Sequence, residues 1–149
     1  MESVAEQQRS VSALDGALAR VGDRWSLLIV EALLDGPRRF NDLAEAVSGI
    51  APNILTDRLR RLEREGVVVS RAYQERPPRQ DYALTDDGHE LAGVLRLLAA
   101  WGSSGAAAGT PVGLALRHVT CGSQLEARWY CPTCARTVQD AEGSDLLRA

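Results

Sequence analysis

Residues Ile50–Thr85 read IAPNILTDRLRRLEREGVVVSRAYQERPPRQDYALT. Behind the proline, apolar side chains recur at Leu55, Leu59 and Leu62, which at about 100° per residue share one face of a helix. Asn53, Asp57, Arg60 and Arg64 fall on the opposite face, with Thr56 and Arg61 flanking it and Arg58 nearer the core face. Pro52 suits the first turn, where its missing N–H would have no intrahelical partner, and Gly66 supplies the C-cap. Two strand-like runs follow, Val67–Tyr73 and Gln80–Leu84, around a loop at Gln74–Arg79. Pro77 and Pro78 cannot donate ladder hydrogen bonds, which places them at the tip of the ribbon.

Working outward, Val11, Leu14, Leu18 and Val21 have the spacing of an amphipathic helix over Ser10–Val21, ended by Gly22. Asp23 then stands where an N-cap belongs, ahead of a largely buried helix carrying Trp25, Leu27, Leu28, Ile29, Ala32 and Leu33. Asp35-Gly36-Pro37 is a stop and turn. Phe40, Leu43, Ala44 and Val47 give a short third helix, separated by Ser48-Gly49 from the arginine-rich fourth. Beyond the ribbon, Thr85 caps a last helix with Leu91, Val94, Leu95, Leu98 and Trp101 along one side. The expected fold is mainly α with a small β-wing: a winged helix-turn-helix at residues 10–102, a linker at 103–113 and a small appendage at 114–140.

In that fold the fourth helix enters the major groove of double-stranded DNA. Asn53 is suited to adenine and Arg60 to guanine, each in bidentate fashion, with Thr56, Asp57 and Arg61 beside them. Arg38, Arg39 and Arg64 are candidate phosphate clamps, Arg58 a candidate phosphate or acid contact, and Arg76 and Arg79 candidate minor-groove or backbone contacts. The net charge of −3 hides an uneven spread. Between Arg38 and Arg79 nine arginines face six acids, so this stretch carries +3 and the remainder −6. Local positive charge suffices to hold phosphates at contact range. The bland alternative is a solvated arginine face, with the winged helix serving as a protein-interaction module instead.

Four stretches together resemble the HxlR-type transcriptional regulators, relatives of the MarR regulators. These are GDRWSLLIV at 22–30, similar to the family's GxxWxLLIL signature, DGPRRFNDL at 35–43, ILTDRLRRLEREGV at 54–67 and PPRQDYALTDDG at 77–88. They cover roughly residues 12–102 in the family's order. The resemblance implies a homodimer on a pseudo-palindromic operator, with the first and last core helices at the dimer interface; the expected role is that of a repressor. Many family members carry a redox-sensing cysteine ahead of the first glycine and tryptophan; the matching position is Ser12, which cannot form a sulfenic acid or disulfide. A small-molecule effector pocket near Trp25, Tyr73, Trp101 and Trp129 is a further expectation.

All three cysteines lie within Cys121–Cys134, in the pattern His118-x2-Cys121-x9-Cys131-x2-Cys134. Two short ligand pairs of this kind suit a tetrahedral structural zinc in a ribbon-like hairpin. A regulatory Cys131–Cys134 dithiol, a site of three thiolates plus water, and inert cysteines remain as alternatives. No apolar stretch reaches membrane-spanning length, and the polar opening MESVAEQQRS lacks the layout of a signal peptide, so the expected location is cytoplasmic. No nucleophile–base pair or phosphate loop points to an enzyme.

Overall fold

A computed structural model of the chain describes residues 12–75, 78–104, 116–139 and 142–143, without the side chains of 73–79 and 104. The chain divides into two compact units, Met1–Leu95 and Arg96–Ala149, with the division inside the last long helix. From residue 105 onward the expected linker lies outside the described residues. Among the described residues no helix is long and apolar enough to cross a membrane.

In the first unit, α1 (Ala13–Val21) starts at Ser12, whose hydroxyl accepts the Asp15 N–H at 3.0 Å. Next, α2 (Arg24–Leu33) starts at Asp23, and α3 (Phe40–Ala46) and α4 (Pro52–Arg64) follow. Before α3, a two-residue strand β1 (Arg38–Arg39) pairs antiparallel with β3 (Pro78–Leu84), which pairs in turn with β2 (Val68–Glu75), giving the order β1-β3-β2. The sequence pattern gives a turn at Asp35-Gly36-Pro37 and no element at Arg38–Arg39, because two residues carry no periodicity. The ribbon is also longer than expected: its strands reach Glu75 and restart at Pro78, with a register shift between Ala72 and Gln74. Extra ladder bonds along both edges favour this over the longer loop.

The core gathers Ile29, Val30 and Leu33 of α2, Leu43 of α3, Leu55, Leu59 and Leu62 of α4, and Val67, Val68, Ala83 and Leu84 of the ribbon. Each fully buried Leu or Ile contributes about 1.5–3 kcal/mol, so this cluster fixes the face α4 turns inward. On α2 the buried face is rotated from the expected one. Ser26 is fully buried, whereas Trp25, Leu27 and Leu28 are half-buried. On α1, only Val21 of the expected stripe is buried among the described residues; Leu14 and Leu18 are 68% and 51% exposed.

The last helix, α5 (Asp86–Ser104), begins where Thr85 bonds the carbonyl of Gly66 at 2.6 Å and accepts the Gly88 N–H at 3.1 Å. Here the backbones nearly touch, since a Cβ at Gly88 would stand 2.2 Å from the Val67 carbonyl oxygen. Arg20 ties α1 to this corner through the Glu65 carbonyl at 2.8 Å and Asp87 at 2.6 Å. Of the apolar residues expected along α5, Leu95 is buried, whereas Val94, Leu98 and Trp101 are exposed.

The second unit contains the hairpin β4 (Trp129–Cys131) and β5 (Arg136–Val138), and an isolated antiparallel bridge between Arg117 and Gln124. Two short, separately closed turns result, one at His118–Cys121 and one at Cys131–Cys134.

Candidate nucleic-acid interface

Between α3 and α4 the chain turns through residues 47–51, closed by Val47 N–H to Leu43 at 2.9 Å and Ile50 N–H to Val47 at 3.2 Å. Val47 and Ile50 are buried, so the turn is pinned at both ends. The inward leucines leave Asn53, Asp57, Arg60 and Arg64 exposed as a single stripe along α4. Thr56 is half-buried, and its hydroxyl donates to the Pro52 carbonyl at 2.9 Å, leaving only its lone pairs for an outside donor. Arg60 and Arg64 stand one helical turn apart, with no ion pair among the described residues. The first turn of α4 carries no acid, which suits the positive end of the helix dipole to an approaching phosphate.

Two other arginines of α4 face the protein. Arg58 Nε donates to Asp23 Oδ1 at 3.0 Å, and its Nη1 donates to Asp57 Oδ2 at 2.5 Å. Arg61 donates to the Ala19 carbonyl and lies 3.8 Å from Asp23 Oδ2. Arg61 therefore occupies an intramolecular position rather than the groove-facing one expected from the helical wheel, whereas Arg58 makes the acid contact expected as one of its two options. The reason is Asp23. Its Oδ1 also accepts the N–H groups of Trp25 and Ser26 at 3.1 and 3.0 Å, and its Oδ2 accepts the Ser26 hydroxyl at 2.6 Å. Partial burial pushes the Asp23 pKa up, but hydrogen bonds from Ser26 and Arg58 outweigh it and hold the carboxyl below its ordinary value. One carboxylate thus caps α2 and braces α4 from behind. The cap is legible in sequence; the brace, between residues 35 positions apart, is not. Arg58 also offsets the charge of Asp57, the one acid in the exposed stripe.

Arg38 is half-buried and donates through Nε to the Ala32 carbonyl at 2.6 Å, tying β1 to the end of α2, with Asp35 at 3.5 Å. Arg39 is exposed, and its backbone N–H donates to Asp42 at 3.3 Å. Opposite Arg39 in the ladder stands Asp81, which also faces Arg71 across the ribbon and holds one buried carboxylate oxygen without a hydrogen-bond partner. Arg71, exposed on β2, is a cation absent from the expected site; its place in the strand ladder was the signal. Arg76 lies outside the described residues, as does the side chain of Arg79, whose backbone pairs with Gln74.

In the second unit, His118 Nδ1 lies 3.2 Å from Cys121 Sγ. The side chain and N–H of Ser123, and then His118, draw the Cys121 thiol down to about 7. The Cys131 thiol is also lowered, by the Cys134 N–H and thiol and then by the Thr133 N–H. All three cysteines are free thiols. Among the described residues, no three His, Cys, Asp or Glu side chains gather at metal-holding distance, so the structure forms the two pairs without joining them.

The architecture has counterparts in known proteins. Residues 20–109 match the HxlR-like helix-turn-helix family. The chain belongs to that family. A helix-turn-helix transcriptional regulator of Mycobacterium tuberculosis is 35% identical over 122 residues, covering 82% of this chain and 77% of its own length. The regulator YodB of Bacillus subtilis is 34% identical over 88 residues, 59% of this chain and 79% of YodB. Among solved structures, the redox regulator HypR in its oxidized form superposes with a TM-score of 0.61 at 29% identity, over 65% of this chain and all of HypR. A protein assigned to the MarR family from Enterococcus faecalis gives 0.57 at 34% identity, over 68% of this chain and 93% of its own.

This HxlR-like chain is accordingly a helix-turn-helix transcriptional regulator, a class that binds DNA. Ser12 serves as the α1 cap. Of the aromatic residues expected around an effector, Trp25 is half-buried with the Arg24 guanidinium 4.7 Å above its ring, and Trp101 and Trp129 are exposed. The Tyr73 side chain lies outside the described ones.

Proposed function

We propose that the chain is a homodimeric, sequence-specific repressor whose two α4 helices read the half-sites of a pseudo-palindromic operator. The observation that carries this reading is the division of labour on α4: Asn53, Asp57, Arg60 and Arg64 are exposed, while Arg58 and Arg61 hold the helix in place. Asn53 and Arg60 supply base readout; Arg64, Arg39 and the ribbon cations Arg71, Arg76 and Arg79 supply phosphate or minor-groove contacts. Arg38 contributes chiefly through its bond to Ala32.

The dimer is supported by Leu14 and Leu18 on α1 and by Val94, Leu97, Leu98 and Trp101 on α5, all exposed in the single chain. Apolar residues left in water on two helices are suited to burial against a second copy. Such a dimer sets the recognition helices for half-sites about 34 Å, or a multiple of it, apart. Repression needs nothing beyond occupancy of a promoter. Control does not run through a cysteine at Ser12.

Selection from a random duplex pool tests the reading. Paired half-sites should be enriched, and the logarithm of affinity should fall linearly with that of salt, by about 0.9 per phosphate neutralised. Arg60→Ala should relax one base position at a cost of about 1–3 kcal/mol. A pool without enrichment, together with no duplex binding at low salt, would reject DNA readout in favour of protein docking.

A further inference from the structure

Beyond α5, the described residues 116–139 of the second unit form tight turns with no buried residue. Among its residues 116–139 only Cys131 and Val138 are even half-buried, and Val119, Trp129 and Tyr130 are exposed. Both turns are nonetheless well formed. In the first, His118 N–H bonds Ser123 at 2.8 Å, Gly122 N–H bonds His118 at 2.8 Å and Leu125 N–H bonds Leu116 at 2.7 Å, with Gly122 at φ 71°. In the second, Cys131 ends β4, and Ala135, just after Cys134, is held at φ 51°. That left-handed conformation is unfavourable for alanine and persists only where the surroundings impose it. A stretch this short without buried side chains is stabilised by a staple that offsets its chain entropy. Three free cysteines cannot all be paired as disulfides within one chain.

We propose that His118, Cys121, Cys131 and Cys134 close around one Zn2+ as a structural site of three thiolates and one imidazole. Thiolate and imidazole donors on two short turns suit zinc, whereas magnesium and calcium take oxygen ligands. Metal–sulfur and metal–nitrogen bonds of about 2.3 and 2.0 Å at a tetrahedral angle set an N···S edge of about 3.5 Å. The His118–Cys121 pair already stands close to that edge, at 3.2 Å. On binding, the second turn swings in to supply Cys131 and Cys134, the three thiols release their protons to solvent, and the ion carries four ligands with no open position. The unit is thereby held by coordination instead of burial.

The test uses the full chain, purified reduced and titrated with Co2+ and then Zn2+. One cobalt per chain should bind with the intense visible bands of a tetrahedral thiolate complex, and zinc should displace it. Cys131→Ser and His118→Ala should each lose the metal to a chelator that the unsubstituted chain withstands, while the helical circular dichroism of the first unit is kept. A pale octahedral cobalt spectrum, absence of saturable binding by fully reduced protein, or unchanged metal affinity in His118→Ala would overturn the site.

Discussion

Asp23→Ala removes, in one step, the polar contacts that brace α4 against the start of α2. Loss of the N-cap bonds to Trp25 and Ser26 costs about 1 kcal/mol. The Ser26 hydroxyl, in a residue with no exposure, loses its acceptor, for about another 1 kcal/mol at the lower end of the range for a stranded polar group. The Arg58 pair, whose side chains are 24% and 27% exposed, contributes about 0.5–1 kcal/mol after solvent screening. These contacts share one carboxylate and are not independent, so a total of about 3 kcal/mol is expected. Equilibrium urea unfolding reads it as a midpoint lower by about 1.5 M, for a slope near 2 kcal/mol/M. Asp23→Asn keeps an acceptor oxygen and removes the charge, and should lose about half as much. A loss below about 1 kcal/mol in the alanine variant, or equal losses in both, would refute the brace.

The same carboxylate predicts an acid-dependent stability. Its folded pKa lies below the ordinary 3.8, so its contribution is complete above that value and drains away as pH falls through the folded pKa. Acidification below about pH 4 should thus destabilise the native chain more than Asp23→Asn, and parallel stability–pH curves would reject the assignment. At the α5 corner, Gly88→Ala drives a methyl into the Val67 carbonyl and should cost about 1–3 kcal/mol. Gly93→Ala, which meets nothing within 4 Å, should be neutral or stabilising by up to about 1 kcal/mol; indistinguishable melting curves for the two would discount the close approach.

The elements most legible in sequence are those with a period. Leucines at 55, 59 and 62 orient α4, and the stripe they leave outside is the observed one. Strand β1 escaped because its two residues are held by β3, some forty positions on, and by no pattern of their own. The helical wheel placed Arg61 toward the groove because it measures angle and not neighbours, and Asp23 and the Ala19 carbonyl lie within that arginine's reach. On α1 and α5 the apolar spacing was plain, but spacing does not say whether a chain's own core fills the face it marks. The same limit applies to the cysteine tail, where spacing names the donors and does not say whether they meet.

The sorting of arginines on α4 has an evolutionary consequence. Because Arg58 and Arg61 carry the mechanical attachment, the residues at 53, 60 and 64 are free to vary without loosening the helix. On the readout proposed above, paralogues on this scaffold drift to new operators through a few exposed positions, each change close to neutral for folding. Position 57 is the exception, since its carboxylate also touches Arg58, so a change there alters anchorage together with the proposed readout.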